Sequence, residues 1–546
     1  MINVIIIFLF SMQLIFAQDI STTEIKVSES FQPKIPDANR LNQNAVFADT
    51  IKKNKKQKYD IIDVNLKSNY KITPLKSAIV KPDRLSKLYP FSIGVGTGYR
   101  IISKFHFSYG SKRSKDVSYA ILFNNLNKKV NVQDKTADQS NSLMNLNFKK
   151  INSDYIFLSD LRYERKNSFS YGHQQEISNF GLKNRFNYTR LTCSIFSQEE
   201  KLNDLAYNAV FFVSDLNERS ENRFSLDANV NKRIKDINYN INMTFDNYSN
   251  YNSNQQILML EKTNVQLYSL KPSLNFSKFN INFDLGLGFD YATDGEFDVF
   301  PILIFEKEMV DNILLLSAGI QDDKQRNTYK TLSDENPFIH ALGTNQIIVA
   351  NDVSQDLRTT ELKEVFVNFK NKLSQSSLWE ANLSYGYVEN FSYFDNYSPP
   401  TEANRFIINY VDVWQLAVSS IYNQRINDIG NLVIDAKYYS WDEERVSHKP
   451  NLLINTYFSI NLRDKILINP SVSFFSSQES YALLYELVDV YKMPERTYFN
   501  IDFKYNYSKK LSLNLGLKNI LNTKREIWRG YNEIGFNTFF EMNYLF

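Results

Sequence analysis

The residues best able to do chemistry are few and scattered. The chain holds four histidines, His106, His173, His340 and His448, and one cysteine, Cys193. No histidine pair has His-x3-His spacing and no Cys-x2-Cys exists, so the sequence offers no transition-metal ligand set. A Gly-x-Ser-x-Gly nucleophile elbow and a phosphate-cradling glycine loop are both absent. His106 stands between Phe105 and Phe107, which on a strand puts it on the face opposite both rings, and it reads as a polar face residue. Cys193 shares a strand face with Leu191 and Ile195 and reads as structural. Asp290, Asp294, Glu296 and Asp298 surround Gly295 and could offer carboxylate oxygens to Ca²⁺. Their spacing is not that of an EF-hand loop, whereas Asp294-Gly295 is a strong hairpin turn, and the turn is the reading adopted. No catalytic, cofactor-binding or metal-binding residue is assigned, no cofactor is expected, and the chain is not expected to be an enzyme.

The elements carrying these residues have a period of two. Phe279 to Tyr291 alternates apolar and polar residues without a break, as do Ile237 to Phe245, Phe499 to Tyr507 and Leu511 to Lys518. Successive side chains on a strand point to opposite faces, so each segment has one apolar and one polar face. A soluble β-sandwich would show the same period. These segments, however, are about 9–13 residues long, the length of a tilted strand crossing a bilayer. Their polar faces are rich in Asn, Asp and Lys, as a wet lumen allows. Tyr and Phe recur towards segment ends, as in Tyr385-Gly386-Tyr387, where interfacial aromatic girdles sit.

Composition agrees. Aromatics make up 14% of the 546 residues, with 41 Phe and 34 Tyr, too many for a disordered chain. No apolar run after residue 17 is long enough for a membrane helix. Sixty-three basic against 60 acidic residues leave a net charge of +3, so no global field attracts nucleic acid, and no nucleic-acid partner is expected. The fold class expected is all-β: a transmembrane antiparallel β-barrel with an even strand number of about 16–22, best placed at 18. Residues 322 to 356 lack alternation and are expected to form an extracellular loop.

Three segments follow. Residues 1–17 carry the apolar run Val4 to Phe16 before Ala17 and read as a secretory signal peptide. Residues 18–90 hold Pro33, Pro36, Pro74, Pro82 and Pro90 and the basic run Lys52 to Lys58, and are expected to be extended, either periplasmic or occupying the lumen. Residues 91–546 form the barrel, placed in the outer membrane against outer-membrane lipid.

Leu511-Ser512-Leu513-Asn514-Leu515-Gly516-Leu517-Lys518-Asn519-Ile520-Leu521-Asn522, followed by a closing strand from Phe536 to Phe546, resembles the last strands of TonB-dependent receptors. The resemblance implies that the strand ending in Phe546 is read by the outer-membrane assembly machinery. Gln325-Arg326-Asn327-Thr328-Tyr329, with Glu335-Asn336-Pro337-Phe338 and Thr344-Asn345, is similar to a loop of a plugless group of such barrels. Lys87-Leu88-Tyr89-Pro90, Ser111 to Lys115 and Tyr119 are similar to that group's barrel start and first hairpin. The 73 residues from Gln18 to Pro90 are fewer than a receptor plug requires and lack its glycine-rich texture. Glu24 to Ser28 resembles a TonB box.

Two functions fit. The first is passage of small solutes across the outer membrane. The second is a non-transporting scaffold subunit of an outer-membrane assembly, secretion or surface-lipoprotein complex, gripping a periplasmic or membrane protein partner through residues 18–90.

Overall fold

The computed structural model describes residues 87–546 except 130, 133–134, 137, 171–181, 199–204, 218–219, 251–263, 296, 340–356, 397–405, 444 and 485–486. The expected signal peptide and residues 18–86 of the expected extended segment lie outside the described residues.

Twenty-two strands form the wall: β1 (Phe91–Thr97), β2 (Ile101–Gly110), β3 (Val117–Lys128), β4 (Gln139–Ile151), β5 (Tyr155–Ser170), β6 (Leu182–Ser197), β7 (Ala206–Leu216), β8 (Glu221–Ile234), β9 (Ile237–Asn250), β10 (Asn264–Lys278) and β11 (Ile281–Ala292). The ring continues through β12 (Phe297–Val310), β13 (Leu314–Arg326), β14 (Thr359–Ser374), β15 (Ser377–Asn396), β16 (Phe406–Ile426), β17 (Gly430–Trp441), β18 (Leu452–Leu462), β19 (Ile466–Phe475), β20 (Arg496–Asn506), β21 (Leu511–Lys518) and β22 (Asn537–Leu545). Each pairs antiparallel with the next, and β22 returns to β1 from Ser92↔Leu545 to Thr97↔Phe540, so the sheet is a closed barrel. Closure satisfies the backbone groups that an open sheet would expose to hydrocarbon.

The count lies at the top of the expected range and above 18. The upper parts of β5 (Arg162 to Asn167) and β13 (Gln321 to Arg326) are almost wholly polar. Once a strand rises past the lipid band both of its faces are wet, and the alternation that marks it vanishes. For the same reason residues 322–326, expected in a loop, belong to β13; the loop itself is 327–358.

One rim carries tight turns. At Phe279-Asn280 both residues have positive φ (55° and 57°), the backbone of a two-residue hairpin turn matched to strand twist. The other rim carries the long connections 327–358, 442–451, 476–495 and 519–536. Short turns mark the periplasmic side of such barrels and long loops the extracellular side.

The two faces of the wall differ as the alternation requires. On β9, Tyr239, Ile241 and Met243 are exposed to the surroundings of the barrel, while Asn240 and Asn242 face inward and both accept from Asn229 Nδ2. Phe211, Phe224, Phe245, Tyr268 and Tyr291 form a row of outward rings across five adjacent strands, centroids 5.0–6.1 Å apart, which is the extracellular aromatic girdle. Phe276, Phe283 and Phe305 form a second row nearer the tight turns. Inside, Arg190 pairs with Asp160 at 2.7 Å and Lys104 with Glu541 at 2.9 Å.

One stretch of wall is not laddered. β12 and β13 pair from Leu303↔Ile320 down to Val310↔Leu314, but Phe297 to Ile302 and Gln321 to Arg326 have no ladder partners across this junction. β12 keeps its pairing with β11, and β13 with β14, over the same residues.

The two faces can be tested at neighbouring residues. Ile241→Lys puts a charge midway between the aromatic rows on the lipid face and should cost about 2–4 kcal/mol, whereas Asn242→Lys in the wet lumen should cost a fraction of that. Denaturant unfolding of the barrel in lipid vesicles measures both.

Candidate functional site

The longest described loop crosses the mouth of the barrel. After β13 the chain turns into a short helix, α1 (Tyr329–Glu335). Thr328 caps it: its Oγ1 accepts from the Thr331 N–H at 3.0 Å, and Thr331 Oγ1 accepts from the Thr328 N–H at 3.0 Å, a reciprocal pair that satisfies two backbone donors. Asn336 ends the helix, its N–H bonding to the Leu332 carbonyl at 2.8 Å and its Oδ1 accepting from the Phe338 N–H at 2.9 Å. Asn336 is wholly buried, and Pro337 blocks any further turn.

One side of the lid is held by polar groups of the lumen wall. Glu221 on β8 accepts from the Tyr329 and Lys330 backbone N–H groups at 2.6 and 3.3 Å. Lys330 reaches Glu164 on β5 at 3.1 Å and Asp334 at 2.8 Å, and Lys166 joins the same two carboxylates at 2.9 and 2.6 Å. The Pro337 carbonyl accepts from Asn184 Nδ2 on β6 at 2.9 Å and from Ser168 Oγ on β5 at 3.3 Å. Glu164 is almost fully enclosed, so these charges are matched within a site of low water content, where a lost partner costs far more than at a surface.

The other side is held by aromatic packing. Phe338 stacks on Tyr531 with centroids 3.7 Å apart, and Ile339 bridges to Phe406 on β16. Phe394 on β15, Phe406, Trp528 and Tyr531 complete a buried cluster that also takes in Leu332 of α1 and Phe186 of β6. In a ring of twenty-two strands β5 and β16 stand half a turn apart. A loop rooted at β13 that touches both therefore bridges the bore.

His448, in the loop 442–451, locks this cluster from above. Its Nδ1 donates to the Phe394 carbonyl at 2.8 Å, and its Nε2 accepts from the Arg529 N–H at 3.5 Å. The ring packs edge-on to Phe406. Burial pushes its pKa down from 6.5 to about 3, with Arg529 and Lys449 adding to the effect and the Phe394 hydrogen bond opposing it, so the ring is neutral at physiological pH.

A cavity of about 1120 Å³ opens beside the root of the lid, lined by Asp227, Asn242, Asp246, Lys271, Arg326 and Arg358 among others. Charges of both signs and amide groups converge there.

His106 faces the lumen, bonded to Asn124 at 2.6 Å. Cys193 is a free thiol opposite Phe211, a member of the outward aromatic row. The turn read at Asp294-Gly295 is present, and Asp294 pairs with Arg326 at 2.6 Å. Asp290 and Asp298 stand opposite each other on β11 and β12. His173, Glu296 and His340 lie outside the described residues, as do Thr344 and Asn345. The closing strand is where the sequence put it: Phe546 donates its N–H to the Phe91 carbonyl at 3.0 Å.

The lid anchors were not read from the sequence, although a signal was there. Arg162, Glu164 and Lys166 place charges at every second residue, which on a strand is one charged face. His448 gave none, because its role depends on Phe394 and Arg529, which are remote in sequence.

No protein-family model matches the chain, and no curated protein does. Solved structures do. The ferric enterobactin receptor of Pseudomonas aeruginosa superposes with a TM-score of 0.60 at 12% identity, over 84% of this chain and 81% of that one. The siderophore receptor PirA of Acinetobacter baumannii gives 0.60 at 11% identity over 85% and 81%, and the FrpB iron transporter of Neisseria meningitidis 0.60 at 9% over 85% and 82%. At these identities the likeness is one of fold. The fold is that of the TonB-dependent-receptor β-barrels, as the sequence resemblance implied.

Two outcomes are expected. Phe338→Ala removes the stacking partner of Tyr531 and should loosen the lid by about 3 kcal/mol without unfolding the wall. Hydrogen exchange in α1 should quicken while the strands stay protected. Separately, because the folded pKa of His448 lies below its unfolded value, its share of lid stability is complete above about pH 6.5 and declines by about 1.4 kcal/mol per pH unit below that, towards pH 3. Exchange in residues 442–451, corrected for intrinsic rates and compared at pH 7.5 and 5, should show this slope, and His448→Gln should flatten it.

Proposed function

We propose that the chain passes small polar solutes across the outer membrane and that the lid over residues 327–339 controls the passage. The observation carrying this reading is a wide barrel with a polar interior whose extracellular mouth is bridged by a loop held through specific side-chain contacts rather than by the wall itself. The cavity at the lid root has the size of a small-molecule site and the mixed charge of one for a hydrophilic solute. Receptors and a transporter for iron and siderophores share the fold, which supports transport as a class without naming the solute.

The scaffold reading draws on the same lid. Its aromatic cluster and its charge pairs bridge the mouth from both sides, an arrangement that also suits a barrel meant to stay shut and to offer its loops, or residues 18–90, to a partner.

Conductance across planar bilayers separates the two. The full chain should be closed or nearly so, and a chain with residues 329–338 replaced by a short Gly-Ser linker should conduct strongly. A parallel form lacking residues 18–86 reports whether that segment also blocks the bore. If none of the three forms conducts, the transport reading fails and the scaffold reading stands.

A further inference from the structure

The unladdered junction between β12 and β13 brings carboxylates from three strands together. Register partners on adjacent antiparallel strands share a face. Asp322, Lys324 and Arg326 therefore lie on the face of Ile320, beside outward Leu303 and opposite exposed Val365. Above Ile320 that face turns against the lumenal side of the neighbouring lip. Lys324 Nζ lies 3.2 Å from Asp298 and 3.9 Å from Asp290, and Lys271 of β10 donates to the Asp322 carbonyl at 3.3 Å. The two lips overlap instead of pairing, with β13 passing inside β12.

Within the overlap Asp298 of β12, Asp322 of β13 and Glu361 of β14 each place a carboxylate oxygen within 4.8 Å of the others. That span is twice a Ca²⁺–oxygen distance of about 2.4 Å. Asp322 is the informative member. The residue is 7% exposed, and neither of its carboxylate oxygens has a hydrogen-bond partner among the described residues. A buried carboxylate left without donors is costly. Glu361 and Asp298, by contrast, are engaged by Lys324 and Lys363 at 2.7–3.4 Å. Around the cluster the carboxyl groups of Asp290, Asp298, Asp322, Glu361 and Glu389 outnumber the ammonium groups of Lys271, Lys324 and Lys363.

We propose that Asp298, Asp322 and Glu361 bind one Ca²⁺, which clamps the overlapping lips where the wall has no backbone ladder. The ion supplies the partner that Asp322 lacks, neutralises the excess charge and joins β12, β13 and β14. Oxygen ligands without histidine or cysteine, in an irregular arrangement, suit Ca²⁺ better than Mg²⁺, which demands near-ideal octahedral geometry.

The test uses the full chain refolded into detergent from inclusion bodies, free of lipopolysaccharide and stripped with chelator. Calorimetric titration with CaCl2 should show one site, and Ca²⁺ should raise the unfolding temperature above that in EDTA. Asp322→Asn should weaken binding by at least about tenfold and abolish the thermal increment. Glu361→Gln, which keeps the Asp322 carboxylate, should do the same and serves as the second variant, each variant being checked as folded by its heat-modifiable migration. Absence of Ca²⁺ binding to the wild-type chain, or unchanged binding in folded Asp322→Asn and Glu361→Gln, overturns the proposal.

Discussion

The constraint on which everything else rests is that a strand in hydrocarbon must have its backbone donors and acceptors paired. A ladder from β1 to β22, closed by Ser92↔Leu545 and its successors and broken only at the upper part of the β12–β13 junction among the described residues, meets it around the rest of the wall. Once the ladder fixes the wall, alternation decides the rest. The outward positions must be apolar and the inward ones are free to be polar, so a large share of the chain's Asn, Asp and Lys can be accommodated in one wet lumen. The lid and the cavity are built from inward side chains and from the chain beyond the strand ends, and the overlapping lips meet where β13 leaves the β12 ladder.

Fold class was legible because it depends on that period-two pattern, which is local. Ile237 to Phe245 and Phe279 to Tyr291 announce strands by themselves; the first lies within β9, and the second forms β11 from Ile281 on, its first two residues, Phe279 and Asn280, making the hairpin turn instead. Strand number was less legible. The pattern fades where a strand leaves the membrane, and β5 and β13 continue for a third or more of their length in that region. The candidate site was least legible of all. Phe338 meets Tyr531, Glu221 meets the start of α1, and His448 meets Phe394, all across separations that no local period encodes. The motif around Gln325 to Phe338 did point to the right loop, but only through resemblance; nothing in its composition says that it bridges a bore.

The lid is held by two different kinds of force, and the difference has a direction. On the β5–β8 side the contacts are ionic and charge-assisted hydrogen bonds: Lys330 and Lys166 with Glu164 and Asp334, and Glu221 with two backbone N–H groups. These weaken when water, salt or a charged solute reaches them. On the β15–β16 side the contacts are ring stacking and apolar burial around Phe394, Phe406 and Trp528, which salt hardly affects. Under the function proposed above, a charged solute would compete with one side of the lid and leave the other attached, so opening would start at β5–β8 and turn about the aromatic cluster.

The gap in the ladder and the lid share a single strand, and that is a consequence of geometry. β13 ends at Arg326, and the next residues must run across the bore to place Phe338 against Tyr531. A strand that feeds such a crossing has to lean inward before it ends. Leaning inward carries Gln321 to Arg326 away from Phe297 to Ile302, and the backbone pairs at that junction are lost. β14 keeps pace with β13 because both strands flank the same loop and are tied by their own ladder from Arg326↔Thr359 downward. The break therefore falls on the β12 side alone. What replaces the missing pairs is a layer of charge, Arg326 to Asp294 and Lys324 to Asp298, between the lumenal side of β12 and the overlapping β13. The lid's stem and the overlapping wall are one structural feature, and a change that draws the lid outward would also tend to close the gap.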